Sequence, residues 1–197
     1  DAETARPLAQ FEANYLGQIR TGAASGLATD LLAPKEAARL GVIGTGFQAR
    51  SQVEAVLAVR SIHVIKVWSR NADRRQRFAD EISSAFNVIV QPVATADEVV
   101  DDIDVLITAT YAKAPVFAPG AVRRPLLINA MGSNQADRAE VPAETVRTAD
   151  LVVADDVEQC RIEAGDLKLA LDEEGWKRVV PLGNIAAGEM KNPSGMD

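Results

Sequence analysis

The residues best suited to chemistry form the turn Gly44-Thr45-Gly46-Phe47-Gln48-Ala49, directly after the apolar run Leu40-Gly41-Val42-Ile43 and at the head of a helical segment. Glycine at 44 permits a sharp strand-to-helix turn. Glycine at 46 leaves the backbone open to the close approach of a pyrophosphate, and Ala49 is small enough for the helix to lie against the strand. The N–H groups at the start of that helix, together with its dipole, would bind phosphate oxygens. This is dinucleotide-binding chemistry. The end of the second apolar strand tests it further, because the ribose-binding acid of an NAD site belongs there. That strand ends in Val67-Trp68-Ser69-Arg70-Asn71, with Arg74 and Arg75 one turn on. No carboxylate is present to repel a 2′-phosphate, whereas Ser69, Arg70 and Arg74 could bind one, so NADP is favoured over NAD as the cofactor.

Further candidates lie where later strands end. Thr108-Ala109-Thr110 closes the fourth strand, and Asn129-Ala130-Met131-Gly132-Ser133-Asn134 follows the fifth. Small and hydroxyl residues there suit a flat nicotinamide ring. His63 opens a strand on the far edge and reads as structural. Cys160 reads as a buried structural thiol. The acidic groups Asp101, Asp102 and Asp104, and Asp155, Asp156 and Glu158, sit at element ends and read as caps or solvated faces rather than metal ligands; no metal site is expected.

These residues must be positioned by a regular alternation of elements. Strands are expected at 40–43, 63–68, 87–90, 103–108, 125–129 and 151–154. Helices are expected at 11–32, 49–60, 72–86, 95–100 and 143–148, with one or two more between 158 and 171 broken near Gly165. In the first helix Phe11, Tyr15, Ile19, Ala23, Leu27 and Leu31 recur every four residues and are expected on one slowly drifting face. The run Gly22-Ala23-Ala24-Ser25-Gly26 inside it implies close approach of something to the backbone, either another helix or a ligand. In the third helix Phe78, Ile82 and Ala85 are expected inward. Near-continuous apolar strands alternating with helices describe a doubly wound, mostly parallel α/β sheet of the Rossmann type. The expected organisation is an N-terminal strand/helix segment at 1–36 packing on the cofactor domain, a dinucleotide-binding core at 37–181, and a tail at 182–197.

Composition excludes several alternatives. With 197 residues, 47% hydrophobic, the chain is long enough for a core without disulfides or metal. A net charge of −7 argues against a nucleic-acid binder. One Cys and one His rule out an internal disulfide and the usual zinc ligand sets. No apolar run approaches the ~18 residues of a membrane span. The start Asp1-Ala2-Glu3-Thr4 reads as neither an initiator nor a signal peptide, and the chain reads as part of a longer, cytoplasmic protein.

The sequence resembles the ornithine cyclodeaminase and mu-crystallin family. The likeness rests on Leu16-x-x-Ile19-Arg20-Thr21-Gly22-Ala23-Ala24-Ser25, on the glycine turn, on Val67-Trp68-Ser69-Arg70, on Asn129-Ala130-Met131-Gly132-Ser133-Asn134, and on Asp155-Asp156-x-Glu158-Gln159 leading to Glu163-Ala164-Gly165-Asp166-Leu167. The resemblance implies that Arg20 contacts a substrate carboxylate, that Thr45, Phe47 and Gln48 lie in the pyrophosphate turn, and that Ser69 holds the ribose-selecting position. It also implies that Thr110, Met131, Gly132 and Ser133 line the nicotinamide side and that Arg138 is a basic residue near the cofactor. Asn134 stands where the cyclodeaminases have a proton-handling Asp, and an amide is no general base. The resemblance therefore points to an NADP-dependent oxidoreductase reducing the C=N bond of a small cyclic imino acid, or interconverting an amino acid and its oxo or imino acid. A cyclodeaminase lyase using bound NAD and a non-enzymatic NADP-binding crystallin are the alternatives. Family members carry an upstream catalytic Lys and a further Arg in segments that this chain lacks, and a homodimer through those segments is expected.

Overall fold

Five of the apolar runs assemble into one parallel sheet in the computed structural model, which describes residues 1–124, 126–132 and 134–189. The strands are β1 (Arg39–Ile43), β2 (Val64–Trp68), β3 (Ile89–Pro92), β4 (Val105–Thr108) and β5 (Leu127–Ala130), in the order β3-β2-β1-β4-β5. Every neighbouring pair is parallel. Strand order reverses between β1 and β4, which opens a crevice at their carboxyl ends. Helices α2 (Phe47–Val59), α3 (Ala72–Phe86) and α4 (Ala96–Val100) form crossovers. All of β4 is buried, as a central parallel strand covered on both faces must be. Its Val105 and Ile107 join a core with Val42, Val53, Val56, Phe78 and Ile82, while Leu106 joins Ile43, Val99 and Val100 on the opposite face.

The sixth expected strand is not part of this sheet. β6 (Val152–Ala154) pairs in parallel with β7 (Val179–Pro181) as a separate two-stranded sheet. Around it lie α5 (Ala143–Thr148), α6 (Val157–Glu163), α7 (Gly165–Lys168), α8 (Glu173–Trp176) and α9 (Leu182–Ala186). A third core of Val152, Leu171, Trp176 and Val179 fills this region. β7 is too short for a periodic pattern, so the partner that draws β6 aside has no sequence signature.

The first helix, α1 (Asn14–Leu32), turns a different face inward from the one its apolar spacing indicates. Gln18, Gly22, Gly26 and Thr29 are buried, and α1 packs along α2. A Cβ on Gly22 would lie 2.6 Å from the Ser51 carbonyl oxygen, and one on Gly26 would lie 3.1 Å from the Ala55 Cβ. The small residues thus serve helix-to-helix approach. Phe11, Tyr15 and Leu27 are exposed. Spacing identified a stripe; the missing side chains of Gly22 and Gly26 on the neighbouring stripe decided which side could come close. No strand forms within 1–36, where residues 1–13 hold turns and unpaired chain.

Arg60, just past α2, is 5% exposed and locks the two helices together. Its guanidinium donates to the carbonyls of Thr29, Asp30, Ala33 and Pro34 and to the Asp30 carboxylate. These include carbonyls that the end of α1 leaves without intrahelical partners. Two smaller expectations also shift. Asn87 takes the left-handed conformation (φ 51) that ends α3, so β3 starts only at Ile89. Ala79, not Ala85, joins Phe78 and Ile82 in the core.

Candidate functional site

The glycine turn sits at the reversal point of the sheet. The Gly44 N–H donates to the Trp68 carbonyl (2.9 Å) and the Ala109 N–H to the Ile43 carbonyl (2.8 Å), which ties the ends of β1, β2 and β4 together. Gly44 has φ 107, and any Cβ there would overlap the Ala109 carbonyl. Only glycine meets both conditions. Gly46 is different. It is the N-cap of α2 in extended geometry, and a Cβ there would meet nothing within 4 Å. Among the described residues no side chain caps α2, and its first turn holds no acid. The first N–H groups of α2 thus take no side-chain cap, and the space beside Gly46 is open, which fits a pyrophosphate. Phe47 is exposed, and its carbonyl accepts from the buried Gln18 amide of α1.

At the end of β2, the Thr45 hydroxyl donates to the Ser69 hydroxyl (3.0 Å), which in turn donates to the Asn71 carbonyl (3.2 Å). Asn71 caps α3 through the Arg74 N–H (2.8 Å). Arg70 and Arg74 are exposed, whereas Arg75 folds back to donate to the Ser69 carbonyl (2.9 Å). The turn and the β2 end are thus one bonded unit, with two exposed guanidinium groups beside it.

Across the crevice, the ends of β4 and β5 meet through a residue the sequence reading missed. Glu140 is fully buried. One carboxylate oxygen accepts from the Thr110 N–H and the other from the Gly132 N–H (3.1 Å). Asp166, on α7, accepts from the backbone N–H groups of Glu140 (2.6 Å) and Val141 (2.8 Å). Gly165 makes this possible, because a Cβ there would overlap the Arg138 carbonyl. Burial raises the pKa of Glu140, against the bond from Thr110 and with the help of the Asp166 charge. Burial likewise raises that of Asp166, against the two backbone bonds. A Glu between Ala139 and Val141-Pro142 resembles ordinary loop sequence; its apolar flanks were the one available hint. Asp166 was visible only as part of a motif.

Thr110, Met131 and Gly132 are half-buried along this rim, with the Met131 N–H on the Thr108 carbonyl (3.1 Å). Ser133 lies outside the described residues. Arg138 is half-buried and its Nε has no partner among the described residues; the same holds for Gln48 Oε1, both ends of the Gln52 amide and Thr108 Oγ1. These orphaned polar atoms come from the first two turns of α2, the end of β4 and the loop after β5. Arg20, on α1 shortly after Gln18, and Asn134 are exposed. His63 precedes β2 at the opposite, amino edge. Cys160 is half-buried, and burial, with Asp155 beside it, pushes its thiol up to about 11, which suits an inert thiol. Asp156 caps α6, and Asp104 sits in ion pairs with Arg39 and Arg124.

A parallel sheet with reversed strand order, a glycine turn at the reversal and an uncapped helix behind it define a Rossmann-type dinucleotide-binding unit. The profile of the ornithine cyclodeaminase/mu-crystallin family matches residues 1–193, and the chain belongs to that family. A Delta(1)-pyrroline-2-carboxylate reductase of Bacillus cereus is 37% identical over 192 residues, 96% of this chain and 59% of that protein. The Thermococcus litoralis Delta(1)-pyrroline-2-carboxylate reductase, solved in complex with NADH and L-proline, superimposes with a TM-score of 0.91 at 37% identity, over 98% of this chain and 60% of that one. An archaeal alanine dehydrogenase dimer with bound NAD superimposes with a TM-score of 0.89 at 30% identity, over 99% and 60%. The chain thus spans about 60% of the length of these relatives. None of the described helices is long and apolar enough to cross a membrane.

Proposed function

We propose that this chain is the dinucleotide-binding part of an NAD(P)H-dependent reductase acting on the C=N bond of a small cyclic imino acid. The observation that carries this reading is the open space at Gly46 in front of the uncapped α2, at the point where strand order reverses. The names of the Bacillus and Thermococcus relatives supply the substrate class. Residues 37–181 would form the cofactor core, with 1–36 packing on it and 182–197 leading toward the remainder of a homodimeric enzyme.

Each group of residues has a task. The Phe47 and Gln48 N–H groups hold the pyrophosphate. Ser69, Arg70 and Arg74 select at the ribose, favouring NADPH over NADH. Thr110, Met131, Gly132 and Ser133 shape the nicotinamide side, with Arg138 nearby. Arg20 pairs with the substrate carboxylate by a charge-assisted bond. Asn134 hydrogen-bonds substrate without taking a proton, which favours reduction over ammonia loss. When bound, the reduced nicotinamide supplies hydride.

The full-length protein, given pyrroline-2-carboxylate or piperideine-2-carboxylate, should oxidise NADPH with kcat/KM at least about tenfold above that with NADH, and the gap should narrow with added salt. The double change Ser69→Asp, Arg70→Ala should reverse the preference. Ammonia release from ornithine without net nucleotide turnover would replace this reading with a cyclodeaminase. Tight nucleotide binding with no turnover of any imino acid would make the protein a binder.

A further inference from the structure

Among the described residues, Glu140 is the one fully buried carboxylate at the crevice, and nothing in the reaction as outlined uses it. Its two oxygens each take a backbone N–H, one from the end of β4 and one from the loop after β5. Those two loops are the rim of the half-site opposite the β2 end. In a doubly wound sheet the adenosine ribose lies at the β2 end, and the second mononucleotide half occupies the β4–β5 side. Both backbone bonds are donations into the carboxylate, and they favour its charged form, while burial and the nearby Asp166 charge oppose it. Asp166 anchors the backbone of Glu140 and adds a second carboxylate behind it.

A nicotinamide ring is cationic when oxidised and neutral when reduced, and the rest of the dinucleotide is the same in both. A fixed negative charge at the ring end of the site thus discriminates between the two oxidation states and cannot do so through the pyrophosphate or the adenosine. We propose that Glu140 is a positioning residue with an electrostatic role: its buried carboxylate, bridging Thr110 and Gly132, tilts the binding preference of the site toward the oxidised nicotinamide. The same charge would favour the hydride-donating direction, since the donor ring gains positive charge as it reacts. This inference rests on the dinucleotide reading above.

The test is equilibrium titration of the full-length protein at neutral pH with NADP+, NADPH and 2′-phospho-ADP-ribose, with NAD+, NADH and ADP-ribose alongside. The ring-free nucleotides report on the pyrophosphate turn alone. Glu140→Gln should bind them as the wild type does, within about twofold, yet weaken the oxidised cofactor at least about fivefold more than the reduced one. Glu140→Asp keeps the charge and should keep the wild-type ratio of oxidised to reduced affinity even where both fall. Equal losses for the two oxidation states in Glu140→Gln would reduce Glu140 to a brace and overturn the proposal. A changed ratio in Glu140→Asp would overturn it as well, and that variant carries the test should Glu140→Gln not fold. Failure of the wild type to bind any of these nucleotides would overturn the dinucleotide reading and this inference together. Ring-free binding with an unchanged ratio in Glu140→Gln would overturn this inference alone.

Discussion

Gly44 and Gly46 are two residues apart and answer to opposite demands. Gly44 is required by the fold, through its φ of 107 and its contact with the Ala109 carbonyl. Gly46 has extended backbone and empty space at its Cβ position, so the fold does not require it. One substitution at both sites separates the roles. Gly46→Val should leave the melting temperature near that of the wild type and weaken cofactor binding by at least tenfold, about 1.4 kcal/mol. Gly44→Val should cost about 3 kcal/mol or more of stability, through left-handed strain and steric overlap, before binding is even measured. Calorimetric melting and nucleotide titration on both variants check this. A Gly46→Val protein that binds nucleotide normally would remove the pyrophosphate from this turn.

At the scale of elements, the close seating of α1 on α2 rests on two features of different kinds. The first is the absence of side chains at Gly22 and Gly26, which lets the helices approach. The second is Arg60, which gathers carbonyls from the end of α1. Arg60→Met keeps much of the buried stem but strips the donors, leaving those carbonyls unsatisfied in a buried setting. The expected cost is about 3 kcal/mol in denaturant unfolding. Amide exchange should accelerate first in α1, while the sheet stays protected. Lysine should not rescue the loss, because one ammonium cannot reproduce the planar fork. Because Gln18 of α1 reaches the Phe47 carbonyl, loosening α1 should also raise the nucleotide dissociation constant.

Across the whole molecule, acid stability divides between two ends of the sheet. At the amino edge, Asp104 accepts from the backbone N–H groups of Ala38 and Arg39 (both 2.9 Å) and pairs with Arg39 and Arg124. Burial alone would raise its pKa, but the Arg39 and backbone bonds outweigh burial and the net direction is downward. A carboxylate held below its unfolded value contributes stability that is complete above that value and lost as pH falls through the folded one. Asp104→Asn should therefore cost about 2–3 kcal/mol at pH 7. The gap to the wild type should close as pH drops below about 4. An equal gap at pH 3 and pH 7 would show that the pairing carries no titratable stability. Glu140 and Asp166, at the carboxyl edge, run the other way: both are raised, so the stability linked to them is present in acid and declines as pH climbs through their folded values.

The local features of this protein were legible in its sequence because local rules govern them. Apolar runs named the sheet strands, and the glycine turn declared its geometry. The absence of a carboxylate after β2 and the presence of Asn134 were also plain from residue identity. What the sequence withheld depends on contacts between distant segments. The face that α1 buries was set by which stripe could approach α2, not by which was more apolar. β6 went to β7 because a three-residue strand without a pattern supplied its ladder. Glu140 acquired its place only when the tertiary fold buried it beneath the N–H groups of Thr110 and Gly132 and set Asp166 behind its backbone. Such a carboxylate is defined by the donors that chain folding brings to it, and spacing along the sequence does not record them.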